Sequence, residues 1–194
     1  MPRRFVFMAR HGETDWNAEG RWQGHTDVPL NANGRAQAVT VAEALRGAGL
    51  SGLVSSDLSR AHETARIIAS TLGLDVAYVD PDLRERMFGV FEGLTRSDCE
   101  RLHPEAWRAW VEEQRPAEGV ESPVAVAARV SGAIGRAAER IAREGAPVLL
   151  VTHGGALRSV VQKATGAPIG PIGNGAIWRI EWDVLAGVVG AERF

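Results

Sequence analysis

Two histidines stand at the ends of two apolar runs in this 194-residue chain: residues 5–9 lead into Arg10-His11-Gly12, and residues 147–151 lead into Thr152-His153-Gly154-Gly155. Two further runs end on charge. Ser56, Asp57 and Arg60 follow residues 52–56, and Arg84, Glu85 and Arg86 follow residues 75–80. An arginine fork matches phosphate oxygens bidentately and stays charged at working pH. A neutral imidazole can attack and carry a covalent intermediate. Neighbouring cations disfavour its protonated form and keep a nucleophilic nitrogen available. A second imidazole can stabilise charge on the group being transferred, while a carboxylate hands a proton to the leaving oxygen and later takes one from water. Phosphoryl transfer needs mainly positioning and neutralisation of oxygen charge, which this set can supply without a metal. A glycine after each histidine lets the backbone turn sharply and approach closely.

Each residue also has a plainer reading. A lone histidine is more often a satisfied core residue than a catalyst. Arg60 could pair with Glu63 or Asp57, and Glu85 could form an ion pair with the arginines beside it. It is the delivery of all of them by strand ends that favours chemistry. His25 and His103 read as surface residues, and His62 as structural but near the pocket. Cys99 reads as a small helix-face residue, since no partner base is evident. Trp107 and Trp110, three apart, fit either a core or an aromatic wall over the pocket, and core is the commoner fate; Trp22 is a third candidate for that wall. Glu13 and Asp15 lack the matching ligands of a metal site.

The elements that must position these residues follow from periodicity. Strands are expected at 5–9, 52–56, 75–80 and 147–151, with a terminal hairpin at about 176–183 and 187–192. Helices are expected at 33–47, at 58–72 closed by Gly73, and at 95–113 in two pieces broken near Pro104. Another spans 122–145, with Ser122 as N-cap, Pro123 in the first turn and Gly145 closing, and a last one spans 155–165. Residues 12–30 read as irregular, and 166–175 as a Gly/Pro loop. Strands alternating with helices specify an α/β layer architecture with a largely parallel sheet, and such sheets bind ligands beyond the carboxyl ends of their strands.

Composition agrees with one globular domain over residues 1–194: 45% apolar, 24% charged, net charge −2. That balance gives no sign of a nucleic-acid binder. No apolar run reaches the ~20 residues of a membrane span. The single cysteine rules out an internal disulfide, and a cytoplasmic protein is the expectation. A second copy could pair through the terminal strands or the 166–175 loop, although nothing in the sequence demands a homodimer.

The blocks ARHGETDWN, SSDLSRAHETA, RERMFGVFEG and VTHGG, in that order, resemble the histidine phosphatase superfamily in its cofactor-dependent phosphoglycerate mutase branch, over almost the whole chain. The resemblance implies a three-layer α/β/α sandwich around a mostly parallel central sheet. It also implies a phospho-accepting His11, a phosphate pocket of Arg10, Arg60 and His153, and Glu85 as proton donor and acceptor. Asn17, Gln23, Gly24 and Gly154 are the further phosphate contacts it suggests, and Arg86, beside Glu85, is a candidate substrate contact. No cofactor and no metal are expected. True mutases of the family carry an added basic segment after the glutamate block. Here Glu121 follows Glu85 by only 36 positions, so that insertion is absent and the segment 88–121 is left as the substrate-selecting cap. Arg96, Arg101, Arg108 and Arg115 are the basic residues this segment retains. The reading is a phosphoric monoester hydrolase acting on a small phosphorylated metabolite. A phosphoglycerate mutase dependent on 2,3-bisphosphoglycerate is the alternative, and an inactive phospho-ligand-binding regulator ranks last.

Overall fold

The order of apolar and polar residues along the strands explains the layers. In the computed structural model, which describes residues 4–113, 115, 117–141, 146–183 and 187–194, six strands form one sheet. They are β1 (Arg4–Arg10), β2 (Gly52–Ser55), β3 (Val76–Val79), β4 (Val148–Thr152), β5 (Ile177–Asp183) and β6 (Gly187–Arg193), in the spatial order β3-β2-β4-β1-β5-β6. β1, β2, β3 and β4 pair in parallel, and β5 and β6 add antiparallel at one edge as the expected hairpin.

Successive side chains of a strand point to opposite faces. Val6 and Met8 of β1, with Val148 and Leu150 of β4, enter one apolar core; Phe7 and Ala9, with Leu149 and Val151, enter the other. Both central strands are therefore buried on both faces, which is why their sequences are apolar without alternation.

Seven α-helices stand among the described residues. α1 (Asp15–Ala18) is short, and α2 (Ala32–Ala44) and α3 (Ser59–Leu72) cover the Phe7 face. α4 (Arg96–Leu102) and α5 (Pro104–Val111) lie in the cap segment, while α6 (Pro123–Arg140) and α7 (Gly154–Thr165) cover the Met8 face. α6 buries Val126, Val130, Ala133, Ile134 and Ala137, the i, i+4, i+7 spacing of one helix face. The cap segment has a small core of its own, built from Phe88, Phe91, Cys99, Trp107 and Val120. It is stitched shut where Phe88 pairs with Val120 and the Glu121 N–H donates to Met87 O at 3.0 Å.

Several boundaries differ from the sequence expectation. Residues 12–30 are not wholly irregular: Thr14 and Asn17 form a capping box that starts α1, too short to produce a periodic pattern. The helix expected at 33–47 ends at Ala44. Ser122 caps α6 by accepting from Ala125 N, as expected, but the helix ends at Arg140, and Gly145 lies outside the described residues. The break at Pro104 is present, with His103 between α4 and α5. No described helix is long and apolar enough to cross a membrane.

Candidate active site

Strand register brings the two histidines together. β1 and β4 pair with Arg10 opposite Thr152, so His11 and His153 leave the sheet side by side. Their ring centroids are 5.0 Å apart, and His11 N donates to Thr152 O at 2.9 Å.

His11 is 2% exposed. Its Nδ1 lies 2.6 Å from Gly12 O, an oxygen that can only accept, so Nδ1 carries the proton and Nε2 keeps a free lone pair. Burial, then the charges of Arg10 and Arg60, hold the imidazole well below the usual histidine range. Gly12 is fixed by close contact, since a Cβ there would sit 2.1 Å from Gly34 O. His153 is fully buried, and its Nε2 meets Ser56 Oγ at 2.9 Å. Burial, then Arg60, keep it neutral as well.

Arg60 is completely buried on α3, where its Nη1 donates to Thr26 O (2.9 Å) and its Nη2 to Gly24 O (2.8 Å). Burial lowers it to about 10, so it stays a cation. The partners expected for a plain surface arginine are engaged elsewhere: Asp57 binds Arg84 and Glu63 binds Arg35. Arg10 Nη1 donates to Ile172 O at 2.6 Å, which ties the 166–175 loop to the site. Three buried nitrogens on these side chains have no partner among the described residues: Arg10 Nε, Arg60 Nε and His153 Nδ1. An unpartnered buried donor costs about 1–3 kcal/mol, and Arg10 Nε and Arg60 Nε are two such donors on arginines that line the cavity beside a neutral imidazole, a setting that suits an anion; His153 Nδ1 is a donor or an acceptor according to its tautomer.

Glu85 is 8% exposed and sits on the N-terminus of α7. Oε1 accepts from Arg86 N (2.7 Å) and Ala156 N (3.0 Å), and Oε2 from Gly155 N (3.0 Å). Gly155 is glycine because a Cβ would lie 2.4 Å from that Oε1. Asn17 Oδ1 accepts from Thr14 N and from Asn174 Nδ2, which turns the Asn17 amide nitrogen toward open space.

These side chains face one cavity of about 290 Å³. Of the residues expected from sequence, Arg10, His11, Asn17, Gln23, Arg60, Glu85, Arg86 and Gly154 line it, and His153 lies against His11. Gly24 does not line it. With φ +54° and a virtual Cβ 2.0 Å from the Glu92 carboxylate, Gly24 instead turns the chain so that its carbonyl holds Arg60. His25 is not a bare surface residue: it is half-buried and its Nε2 lies 2.9 Å from Glu85 O. Trp107 is core, whereas Trp22 and Trp110 form an aromatic wall with Phe88. The guanidinium of Arg86 stands 5.6 Å from the Trp110 ring. None of Arg96, Arg101, Arg108 and Arg115 lines the cavity; Arg96, Arg101 and Arg115 pair with neighbouring carboxylates on exposed surface.

Sequence reasoning missed Arg21, Arg158, Gln162 and Asn174. Arg158 was findable in principle, one helical turn after Gly154 on α7; Asn174 was not, because only tertiary structure brings it to Asn17. No cluster of potential metal ligands occurs among the described residues.

Residues 6–186 match the family model described as histidine phosphatase superfamily, branch 1. A phosphoglycerate mutase-like protein 4 of Arabidopsis thaliana is 40% identical over 163 residues, covering 82% of this chain and 70% of that protein. A mycobacterial glucosyl-3-phosphoglycerate phosphatase, solved in complex with VO3, superposes with a TM-score of 0.83 at 35% identity over 98% of this chain and 97% of that one. A putative α-ribazole-5'-P phosphatase of Escherichia coli superposes with a TM-score of 0.81 at 27% identity, over 100% of this chain and 95% of that one. Strand order, paired histidines and these matches agree: the chain belongs to the histidine phosphatase superfamily, branch 1.

Proposed function

We propose that the protein is a metal-independent phosphomonoesterase that hydrolyses a small phosphorylated metabolite through a phosphohistidine on His11. The observation that carries this is the neutral His11 with a free Nε2, surrounded by side chains that bear unpartnered buried donors. In the first step the Nε2 lone pair attacks phosphorus, the P–N bond forms and the ester P–O bond breaks. Arg10 and Arg60, and His153 as the Nδ1–H tautomer whose Nε2 accepts from Ser56 Oγ, offer N–H groups to the phosphoryl oxygens, where charge spreads in the transition state. The Glu85 carboxyl gives its proton to the departing oxygen. Its Oε2 accepts one N–H where Oε1 accepts two, which leaves Oε2 the freer oxygen for this transfer. In the second step Glu85 takes a proton from water, the hydroxyl oxygen attacks phosphorus and the P–N bond breaks, releasing inorganic phosphate.

Water is the acceptor we favour because the cap segment is short and its surface arginines are turned away from the cavity. The distal wall of Trp22, Phe88 and Trp110, with Arg86 and Arg158 beside it, suits an organic moiety that carries a negative group. A glycerate phosphate or its sugar-linked form fits that description. The mutase reading rests on the names of relatives such as the Arabidopsis protein. The deciding assay is phosphate release from a panel of phosphomonoesters with chelator present, set beside conversion of 3- to 2-phosphoglycerate. Release unaffected by chelator and by bisphosphoglycerate supports the hydrolase; isomerisation stimulated by bisphosphoglycerate, without net release, overturns it.

A further inference from the structure

Arg129 lies on α6, behind Glu85 and outside the cavity described above, yet every N–H of its guanidinium is engaged. Nε donates to Glu121 Oε1 at 2.7 Å and Nη2 to Glu121 Oε2 at 2.7 Å, a bidentate pair. The other three bonds go to main chain. Nη1 donates to Asp82 O (2.8 Å) and Arg84 O (2.7 Å), and Nη2 to Glu85 O (2.9 Å). These carbonyls belong to the 3₁₀ turn Pro81–Leu83 and to the stretch that runs from it through Glu85, whose carboxyl meets α7. Three carbonyl dipoles aimed at one point repel each other, and the planar Arg129 cation offsets that repulsion with three N–H bonds while its other two hold Glu121.

The carboxylate half of the pair is anchored too. Glu121 N donates to Met87 O (3.0 Å), and Glu121 O accepts from Arg86 Nε (2.5 Å). The Arg129 and Glu121 side chains are 18% and 21% exposed, so water does not readily replace either partner. His25 Nε2, at 2.9 Å, meets the same Glu85 carbonyl from another element. Among the described residues the Glu85 carboxyl is hydrogen-bonded by backbone N–H groups, of Arg86, Gly155 and Ala156, so its placement depends on where its own main chain is held.

We propose that Arg129, clamped by Glu121, is a positioning residue for the reaction: it fixes the main chain at residues 82–85 so that the Glu85 carboxyl faces the departing ester oxygen. This rests on the reading of Glu85 as the proton donor. Arg129 touches no substrate, and its effect is specific to proton delivery. A p-nitrophenolate leaving group needs little protonation, whereas an alkoxide needs a full proton.

The test compares kcat/KM for p-nitrophenyl phosphate and for glycerol 2-phosphate, a ratio that reports phosphoenzyme formation and not its breakdown. General acid catalysis contributes roughly 10²–10⁴-fold, and a shift of about 1 Å costs on the order of 10²-fold. Arg129→Gln should therefore lower the alkyl phosphate rate about 10–100-fold and the p-nitrophenyl phosphate rate by less than about 3-fold. Glu85→Gln should show the same selective loss, and the double variant should show no wider split. Arg129→Lys, which keeps charge but not the fork, should fall between wild type and Arg129→Gln. If Glu85→Gln shows no split, the proton-donor reading fails. If Glu85→Gln splits the substrates and Arg129→Gln lowers both equally, the positioning proposal fails while the donor reading stands. Should Arg129→Gln not fold, Glu121→Gln and Arg129→Lys decide, and equal losses on both substrates in both variants overturn the proposal.

Discussion

Gly155→Ala separates chemistry from fold. The added Cβ would lie 2.4 Å from Glu85 Oε1 and 3.2 Å from Glu85 Cδ. A carbon and an oxygen rest at roughly 3.3–3.6 Å, so the carboxyl must retreat by about 1 Å. That retreat breaks its bonds to Gly155 N and Ala156 N, now 3.0 Å each. The obstructing group is the free end of a side chain bordering an open cavity, so it can move without unpacking the core. Alanine also favours the helix by up to ~1 kcal/mol over glycine, which offsets part of the lost hydrogen bonding. We expect kcat/KM on an alkyl phosphate to fall about 10²-fold. Stability should change by no more than about 2 kcal/mol, or roughly 4–8 °C in Tm. Gly12→Ala is the control. Its Cβ would meet Gly34 O at 2.1 Å, backbone against backbone, so it should lose stability before anything else can be assayed. The assays are thermal unfolding and steady-state hydrolysis of glycerol 2-phosphate. A Gly155→Ala protein that hydrolyses glycerol 2-phosphate at the wild-type rate would refute the placement of Glu85 against α7.

Other expectations follow from the same geometry. Both site histidines have folded pKa values far below the unfolded value near 6.5. The unfolded chain therefore binds more protons as pH falls through 6.5, and stability is lost there at about 1.4 kcal/mol per pH unit per histidine. Urea unfolding should show a loss of about 3 kcal/mol between pH 8 and pH 5.5, absent in a His11→Asn/His153→Asn variant; a flat wild-type profile contradicts the buried neutral pair. Arg60→Lys replaces a planar fork, whose separate nitrogens hold Thr26 O and Gly24 O, with a single ammonium nitrogen on a shorter reach, so competitive inhibition by inorganic phosphate should weaken at least about 10-fold. Arg158→Gln should reduce kcat/KM for 3-phosphoglycerate several-fold and leave glycerol 2-phosphate unchanged; equal effects on both would remove Arg158 from recognition of a second anionic group.

His11 and His153 were legible because each stands at the end of an apolar run, 5–9 or 147–151, that is buried on both faces, whereas Arg60 and Glu85 were legible from the charged blocks that follow β2 and β3. Alternation of elements implies a shared sheet edge for the two histidines, and the adjacency and parallel register of β1 and β4 then set His11 beside His153. What stayed hidden depends on long-range contact. Arg129 reads as an ordinary polar residue on an amphipathic helix, and only the fold shows three carbonyls converging on it. His25 read as surface because its partner is a backbone oxygen 60 residues away. Gly24 was assigned to the pocket by its block, while its conformation serves Arg60 instead. The arginines that the cap retains are visible in sequence as charge, whereas the direction each side chain faces is not.

Covalent catalysis by His11 is the step on which the proposed hydrolysis turns. Protein mixed with a 32P-labelled phosphomonoester and quenched in alkali, which preserves phosphohistidine, should carry label on the peptide containing His11. That label should form and decay at rates that account for turnover, and it should be absent from His11→Ala. Turnover without a labelled intermediate, or label on any other residue, would rule out His11 as the nucleophile.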